Sequence, residues 1–170
     1  LVLSPGEEIQ VRFVRENGVY LFTSRVLARK HETVPLYLIA YPAEVQRIQQ
    51  RRFVRLPILL DVLYAPVPEK PDEQPVWVKG RTADLSGGGM RLRVPEPLPV
   101  GTRLLLKFYL PWEKKPVEMA LQGRVVRTEV TEGREPGEKL YFLGIEFVDI
   151  RRRDQDEIIR FIFRKMAERR

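Results

Sequence analysis

This chain of 170 residues contains no cysteine and a single histidine, His31. Without cysteine there is no disulfide framework and no thiolate zinc site, and one histidine cannot build a His-rich metal centre. Long apolar runs are missing as well. None approaches the roughly 20 residues that a helical membrane span needs, and no signal-peptide pattern opens the chain. Acid–base catalysis has little to work with, because the carboxylates are scattered among Lys and Arg rather than paired in a motif. These absences predict no metal, no cofactor and no catalytic residue, hence a protein that is not an enzyme. They also predict a cytoplasmic protein that is not embedded in a membrane.

What is present supports a folded chain. Hydrophobic residues make up 44%, enough for a core, and the 31% of charged residues mix both signs along the sequence. The formal net charge of +7 favours an anionic partner. Its distribution narrows that inference. Residues 1–49 hold six Lys or Arg against five Asp or Glu, residues 50–150 hold 16 against 14, and residues 151–170 hold eight against four. The nearly balanced middle argues against a broad nucleic-acid-binding face.

Strand-type alternation dominates. Ile9, Val11 and Phe13 alternate, "ENG" at 16–18 signals a turn, Val19 to Val26 follows as a partner strand, and "VPLYLIAYP" is a third strand closed by Pro42. "AEVQRIQQRRFVR" carries no strong breaker and reads as a helical turn or a linker, which places a domain boundary at Gln49 and divides the chain into residues 1–49 and 50–170. Beyond it come about six strands joined by short turns and Pro-rich loops, the pattern of a small antiparallel barrel. The end of the chain alone reads as helix. Asp154 followed by Glu157 reads as its N-terminal cap, and Ile158, Ile159, Phe161, Ile162, Phe163 and Met166 form an apolar stripe at helical spacing. The fold class is therefore all-β: a small N-terminal β-domain, then a six-stranded antiparallel β-barrel with a C-terminal α-helix.

Within this pattern "TADLSGGGMRLRV", residues 82–94, is anomalous, since three glycines weaken a strand. Small residues after Ser86 allow backbone N–H groups to converge on an anion. Asp84 and Ser86 are two apart and share a strand face. A carboxylate accepting two N–H bonds suits the Watson–Crick edge of guanine, and a hydroxyl with the amides of Gly87, Gly88 and Gly89 suits a phosphate oxygen. The same residues also suit a plain flexible hairpin.

A second cluster, "QRRFVRLP" at 50–57, sets Arg51 and Arg55 four apart with Arg52 between them. Guanidinium groups bind phosphates in bidentate fashion, read the O6/N7 edge of guanine and stack on purines. An exposed basic linker accounts for the cluster alone.

The two clusters together resemble the PilZ family of cyclic di-GMP receptors, whose pattern is R-x-x-x-R followed by [D/N]-x-S-x-x-G. Here Arg51, Arg55, Asp84, Ser86 and Gly89 complete it in order, and "LGIEF" at 143–147 resembles the family's last barrel strand. The preceding segment resembles the amino-terminal domain of YcgR-type flagellar brake proteins. Those domains usually begin with further residues, so the resemblance implies a partial domain here.

The resemblance implies that Arg51 and Arg55 contact phosphate and guanine O6/N7, Asp84 a guanine N–H edge, and Ser86 with Gly87–Gly89 the remaining polar edge, with Arg52 and Arg91 as further candidates. It implies a flagellar motor partner, stator or switch, recruitment to the flagellar basal body, and slower swimming when the messenger is abundant through a ligand-driven change of interdomain orientation. Gln50 is the position expected to bear on whether one or two ligand molecules bind. Two alternatives stand beside this reading: a PilZ effector with another output, such as exopolysaccharide synthesis or transcription, and a nucleic-acid-binding barrel with Phe108, Tyr109 and Trp112 as a stacking platform. The sequence leaves monomer and dimer open.

Overall fold

The computed structural model describes residues 2–15, 18–31, 34–49, 51–70 and 72–169. Glu16 and Asn17 of the predicted turn, and Gln50, lie outside the described residues. The chain divides into two compact units, Leu1–Arg52 and Phe53–Arg170.

The first unit is built on one long strand. β1 (Glu8–Arg15) pairs antiparallel with β2 (Gly18–His31), which also pairs with β3 (Pro35–Ile39) along its second half and with β4 (Gln46–Ile48) at Val19–Leu21. The alternation in β1 half-buries Ile9, Val11 and Phe13 and exposes Glu8, Gln10 and Arg12. Phe13 stacks on Tyr20 with ring centroids 5.3 Å apart and meets Phe22 edge-on at 6.0 Å. Such pairs add to plain area burial. The Ser24 hydroxyl donates to the Ala40 carbonyl at 2.6 Å and fastens the chain leaving β3. The helical turn or linker expected after Pro42 is corrected here: Gln46–Ile48 is strand β4, because the free edge of β2 takes up its backbone groups.

The second unit is an antiparallel barrel. Its strands are β5 (Arg55–Pro57), β6 (Asp61–Pro66), β7 (Val78–Ser86), β8 (Gly89–Val94), β9 (Arg103–Leu110), β10 (Val117–Glu132) and β11 (Lys139–Val148). Six of them close in the order β7-β6-β9-β10-β11-β8, and β8 returns to β7; β5 pairs with the part of β7 that β6 leaves free. Closure removes exposed sheet edges.

The core follows from period-two alternation. β9 sends Leu104, Leu106, Phe108 and Leu110 inward, and β8 sends Met90, Leu92 and Val94. Each fully buried Leu or Phe contributes roughly 1.5–3 kcal/mol. Phe108 and Tyr109 thus lie on opposite barrel faces, Phe108 in the core and Tyr109 outside, while Trp112 packs edge-on against Phe161 at 5.6 Å. The three aromatic residues do not form one stacking platform.

Helix α1 (Arg152–Glu168) closes one end of the barrel with Ile158, Phe161 and Ile162 buried. The predicted cap is corrected. The helix begins earlier, with Arg151 at the N-cap position and no side-chain cap, and Asp154 lies in the first turn, where it pairs with Arg151 Nε at 2.8 Å. A carboxylate there still complements the helix dipole. The predicted apolar stripe also divides, since Phe163 and Met166 are exposed. No helix among the described residues is long and apolar enough to cross a membrane.

Candidate ligand-binding site

The site is organised around β7, which changes partner midway. Val78–Arg81 pair with β6 and Asp84–Ser86 with β5. Between the two lies a bend at 58–60, held by buried Thr82: its hydroxyl donates to the Ile58 carbonyl at 2.6 Å and accepts the Leu60 amide at 2.8 Å. Buried polar groups at such a bend need partners, and one hydroxyl supplies two bonds.

A one-residue bulge then sets which side chains face out. Thr82 pairs with inward Leu92, but the register shifts at Ala83, and Asp84 pairs with Arg91, whose neighbours Met90 and Leu92 point inward. Strict alternation would put Thr82 and Asp84 on one face. The bulge instead turns Thr82 into the core and Asp84 outward. Ser86, two residues on, shares that strand face but is buried beneath the β7–β8 turn. Across the strand pair Arg55 lies opposite Ser86, buried Leu56 opposite buried Leu85, and Pro57 opposite Asp84. The fold thus brings Arg55, Asp84 and Arg91 onto one patch of three adjacent strands, with Ser86 buried under it. Among the described residues, no hydrogen bond or ion pair engages the side chain of Arg55 or Asp84.

Arg91 is held aside from Asp84. Its guanidinium donates to Glu129 Oε2 at 2.7 Å and 3.1 Å and lies 4.2 Å from the ring centroid of Phe142. Arg127 bonds the other oxygen of the same carboxylate at 2.7 Å. Glu129 and Phe142 escaped sequence reasoning, because only the barrel register brings β10 and β11 beside Arg91.

The glycines answer to space. Gly87 and Gly88 form the two-residue turn between β7 and β8, and neither has the positive φ that would demand glycine. A Cβ on Gly87 would lie 2.8 Å from Ile159 Cγ1 and 2.9 Å from Phe53 Cδ1, and one on Gly88 would lie 2.9 Å from Phe53 Cδ2. On Gly89 a Cβ would collide with the backbone carbonyl of Ile145 in β11. The turn expected to present a bare concave backbone is thus covered by Phe53 and Ile159. Its carbonyls are also used: Gly87 accepts from Gln155 Nε2 at 2.8 Å and Gly88 from the Phe147 amide at 2.9 Å. The Ser86 hydroxyl donates to the Gly89 carbonyl at 3.0 Å and accepts the Gly88 amide at 3.4 Å, which makes it the internal brace of the turn.

Arg51 and Arg52 are exposed and close the first unit, whereas Arg55 stands in the second. The Arg51 carbonyl accepts from Gln49 Nε2 at 3.2 Å. Among the described residues, no group of three or more metal-ligating side chains is placed to hold an ion.

Comparison with known proteins decides the family. The PilZ domain matches residues 49–164, and "Flagellar protein YcgR" matches residues 1–42. The chain belongs to the PilZ family. It resembles the YcgR-like members: a flagellar brake protein YcgR of Azoarcus sp. is 31% identical over 147 residues, covering 82% of this chain and 55% of that protein. The chain therefore spans just over half of that relative's length. Among solved structures the inhibitor of motility MotI/DgrA of Bacillus subtilis superposes with a TM-score of 0.80 at 22% identity, covering all of this chain and 78% of that one. YcgR of Escherichia coli in complex with c-di-GMP superposes at 0.59 with 18% identity over 95% of this chain and 66% of that one. At these identities the structural matches establish the PilZ fold.

Proposed function

We propose that this PilZ protein is a cyclic di-GMP receptor that regulates flagellar motility. The observation that carries the reading is the cross-strand placement of Arg55 opposite Ser86 with Asp84 beside it, both ionic side chains unengaged among the described residues. A cyclic dinucleotide offers phosphates to the guanidinium and guanine N–H donors to the carboxylate. Charge-assisted bonds of this kind are the strong ones. Arg51, in the same R-x-x-x-R motif, adds a second guanidinium for phosphate or for guanine O6/N7. Gly87 and Gly88 leave room for Phe53 and α1, and Gly89 leaves room for the β11 backbone, so the glycines serve packing of the β7–β8 turn before they serve the ligand. Arg52 remains a candidate for a phosphate contact, and Arg91 becomes one if its bond to Glu129 exchanges for the ligand.

The motif lies where the two units meet in sequence, so a ligand that orders residues 51–55 couples messenger concentration to the orientation of the first unit, a change that selects one arrangement from an ensemble. The match of residues 1–42 to a flagellar protein, and the names of the Azoarcus and Bacillus relatives, favour motility as the output over exopolysaccharide synthesis or transcription. A motor protein, stator or switch, is the partner this output requires, with the receptor recruited to the basal body.

Ligand identity is tested by titrating cyclic di-GMP, GTP and a single-stranded oligonucleotide separately into the protein. The reading requires saturable binding of the cyclic dinucleotide alone; equal binding of all three would sink it. The output is tested by swimming speed in a deletion strain with the messenger elevated, where loss of the protein should restore speed. An unchanged speed refutes the motor role while leaving the receptor intact.

A further inference from the structure

Farther along the β7–β8 ribbon the barrel carries a groove of about 440 Å³ that the ligand motif does not use. Four cations line it: Lys79 and Arg81 on β7, Arg93 on β8 and Lys139 on β11, with two carboxylates, Asp61 and Glu138. The bulge at Ala83 keeps Arg81 on the same outer face as Asp84. Three residues of strand put the two about 10 Å apart along β7.

The internal neutralisation of this groove is weak. Arg81 and Arg93 sit directly opposite each other in the β7–β8 register, and like charges in that position destabilise a sheet. Arg81 is offset by Asp61 at 3.0 Å, but the Asp61 side chain is 84% exposed, and a pair so exposed to water is weak. Arg93 reaches Glu138 only at 3.8 Å. The other oxygen of that carboxylate accepts the backbone amide of Arg134 at 3.0 Å, so Glu138 is committed to its own loop. Lys79 and Lys139 have no ion pair among the described residues. The groove therefore holds four weakly neutralised cations with room for external acceptors.

Its other lining selects the kind of anion. No aromatic side chain is among the lining residues, so the stacking platform that single-stranded nucleic acid uses is missing. The two carboxylates repel a regularly spaced polyphosphate, whereas a polypeptide can set its own acids against the cations. Pro95 and Leu140 add apolar surface for peptide side chains. We propose that this groove is a docking site for an acidic, carboxylate-rich segment of a protein partner. Docking here would place the partner on the same strand pair as the nucleotide patch.

The test uses the full chain and a fluorescein-labelled hexaglutamate peptide, followed by fluorescence anisotropy. Wild type is compared with Lys79→Glu/Lys139→Glu, which removes cations that have no internal pair to lose, and with Lys114→Glu/Lys115→Glu, the same charge change on the β9–β10 loop. A labelled hexathymidylate serves as the polyphosphate competitor. The proposal requires peptide binding that weakens about tenfold in the groove variant, as two lost ion contacts imply, is unchanged in the loop variant, and exceeds the affinity for hexathymidylate. Absent peptide binding, equal weakening in both variants, or tighter binding of hexathymidylate overturns it. The assay contains no cyclic dinucleotide, so its failure leaves the receptor reading untouched.

Discussion

If the three glycines exist to let elements approach, their substitutions must differ in cost according to what each Cβ meets. At Gly89 the obstacle is the Ile145 carbonyl, part of the β11 backbone that pairs with β8 at Gly89↔Glu146 and Met90↔Ile145. Neither strand can yield without opening the ladder. Overpacking of about 1–3 kcal/mol, with one or two backbone hydrogen bonds worth about 0.5–1.5 kcal/mol each, gives a cost of roughly 1.5–6 kcal/mol for Gly89→Ala. At Gly88 the obstacle is one edge of the Phe53 ring, which can rotate, so Gly88→Ala should cost about 1 kcal/mol or less. For a chain of this size each kcal/mol lowers Tm by about 2–4 °C, so calorimetry should find Gly89→Ala melting roughly 3–24 °C below wild type and Gly88→Ala only slightly below it. A purely ligand-facing role for the glycines would instead leave both melting points unchanged and reduce nucleotide binding. Equal melting points for the two variants, or the lower one for Gly88→Ala, would refute the packing argument.

Thr82→Val keeps the shape but strands the Ile58 carbonyl and the Leu60 amide, so urea denaturation should show a loss of about 2–4 kcal/mol; a loss below 1 kcal/mol would show that the bend at 58–60 does not need the hydroxyl. Asp154→Ala should cost no more than about 1 kcal/mol by the same method, because the carboxylate is not the helix cap; a cost near 2 kcal/mol would reinstate it as one. Burial, and secondarily the charge of Glu96, raise the Tyr64 phenol above its ordinary value of 10.0. The unfolded chain then loses this proton first, so stability is unaffected below about pH 10 and falls as pH rises above it. Thermal melts between pH 9 and 11 should show a fall that Tyr64→Phe reduces; identical pH profiles for the two proteins would contradict the assignment.

Much of the barrel was legible because its signals are local. Leu104, Leu106, Phe108 and Leu110 alternate with polar or half-buried residues, and the Arg and Asp–Ser–Gly clusters are short motifs. What was hidden depends on contacts between distant parts of the chain. The bulge at Ala83 has no glycine or proline to announce it, yet it decides that Asp84 lies half-buried on the outer face while Thr82 faces the core. The reason for Gly87 and Gly88 lies in Phe53 and Ile159, far upstream and far downstream. Strand β4 contains only three residues and forms because β2 offers it an edge. The helix start was misplaced because Asp154 and Glu157 have the spacing of a capping box, whereas Arg151, with extended backbone angles, occupies the cap position without a side-chain bond. In the site, the two-residue spacing of Asp84 and Ser86 is readable in the sequence, but the burial of Ser86, the bracing role of its hydroxyl and the hold of Glu129 on Arg91 depend on the register of four strands.

Isothermal titration of cyclic di-GMP into wild type, Arg55→Ala and Asp84→Ala would decide whether Arg55 and Asp84 bind one cyclic dinucleotide together. Each variant removes a charge-assisted contact worth about 1.5–3 kcal/mol, so affinity should fall roughly 10- to 150-fold in each while the melting point stays within a few degrees of wild type. Undiminished binding in either folded variant would show that its side chain does not touch the nucleotide.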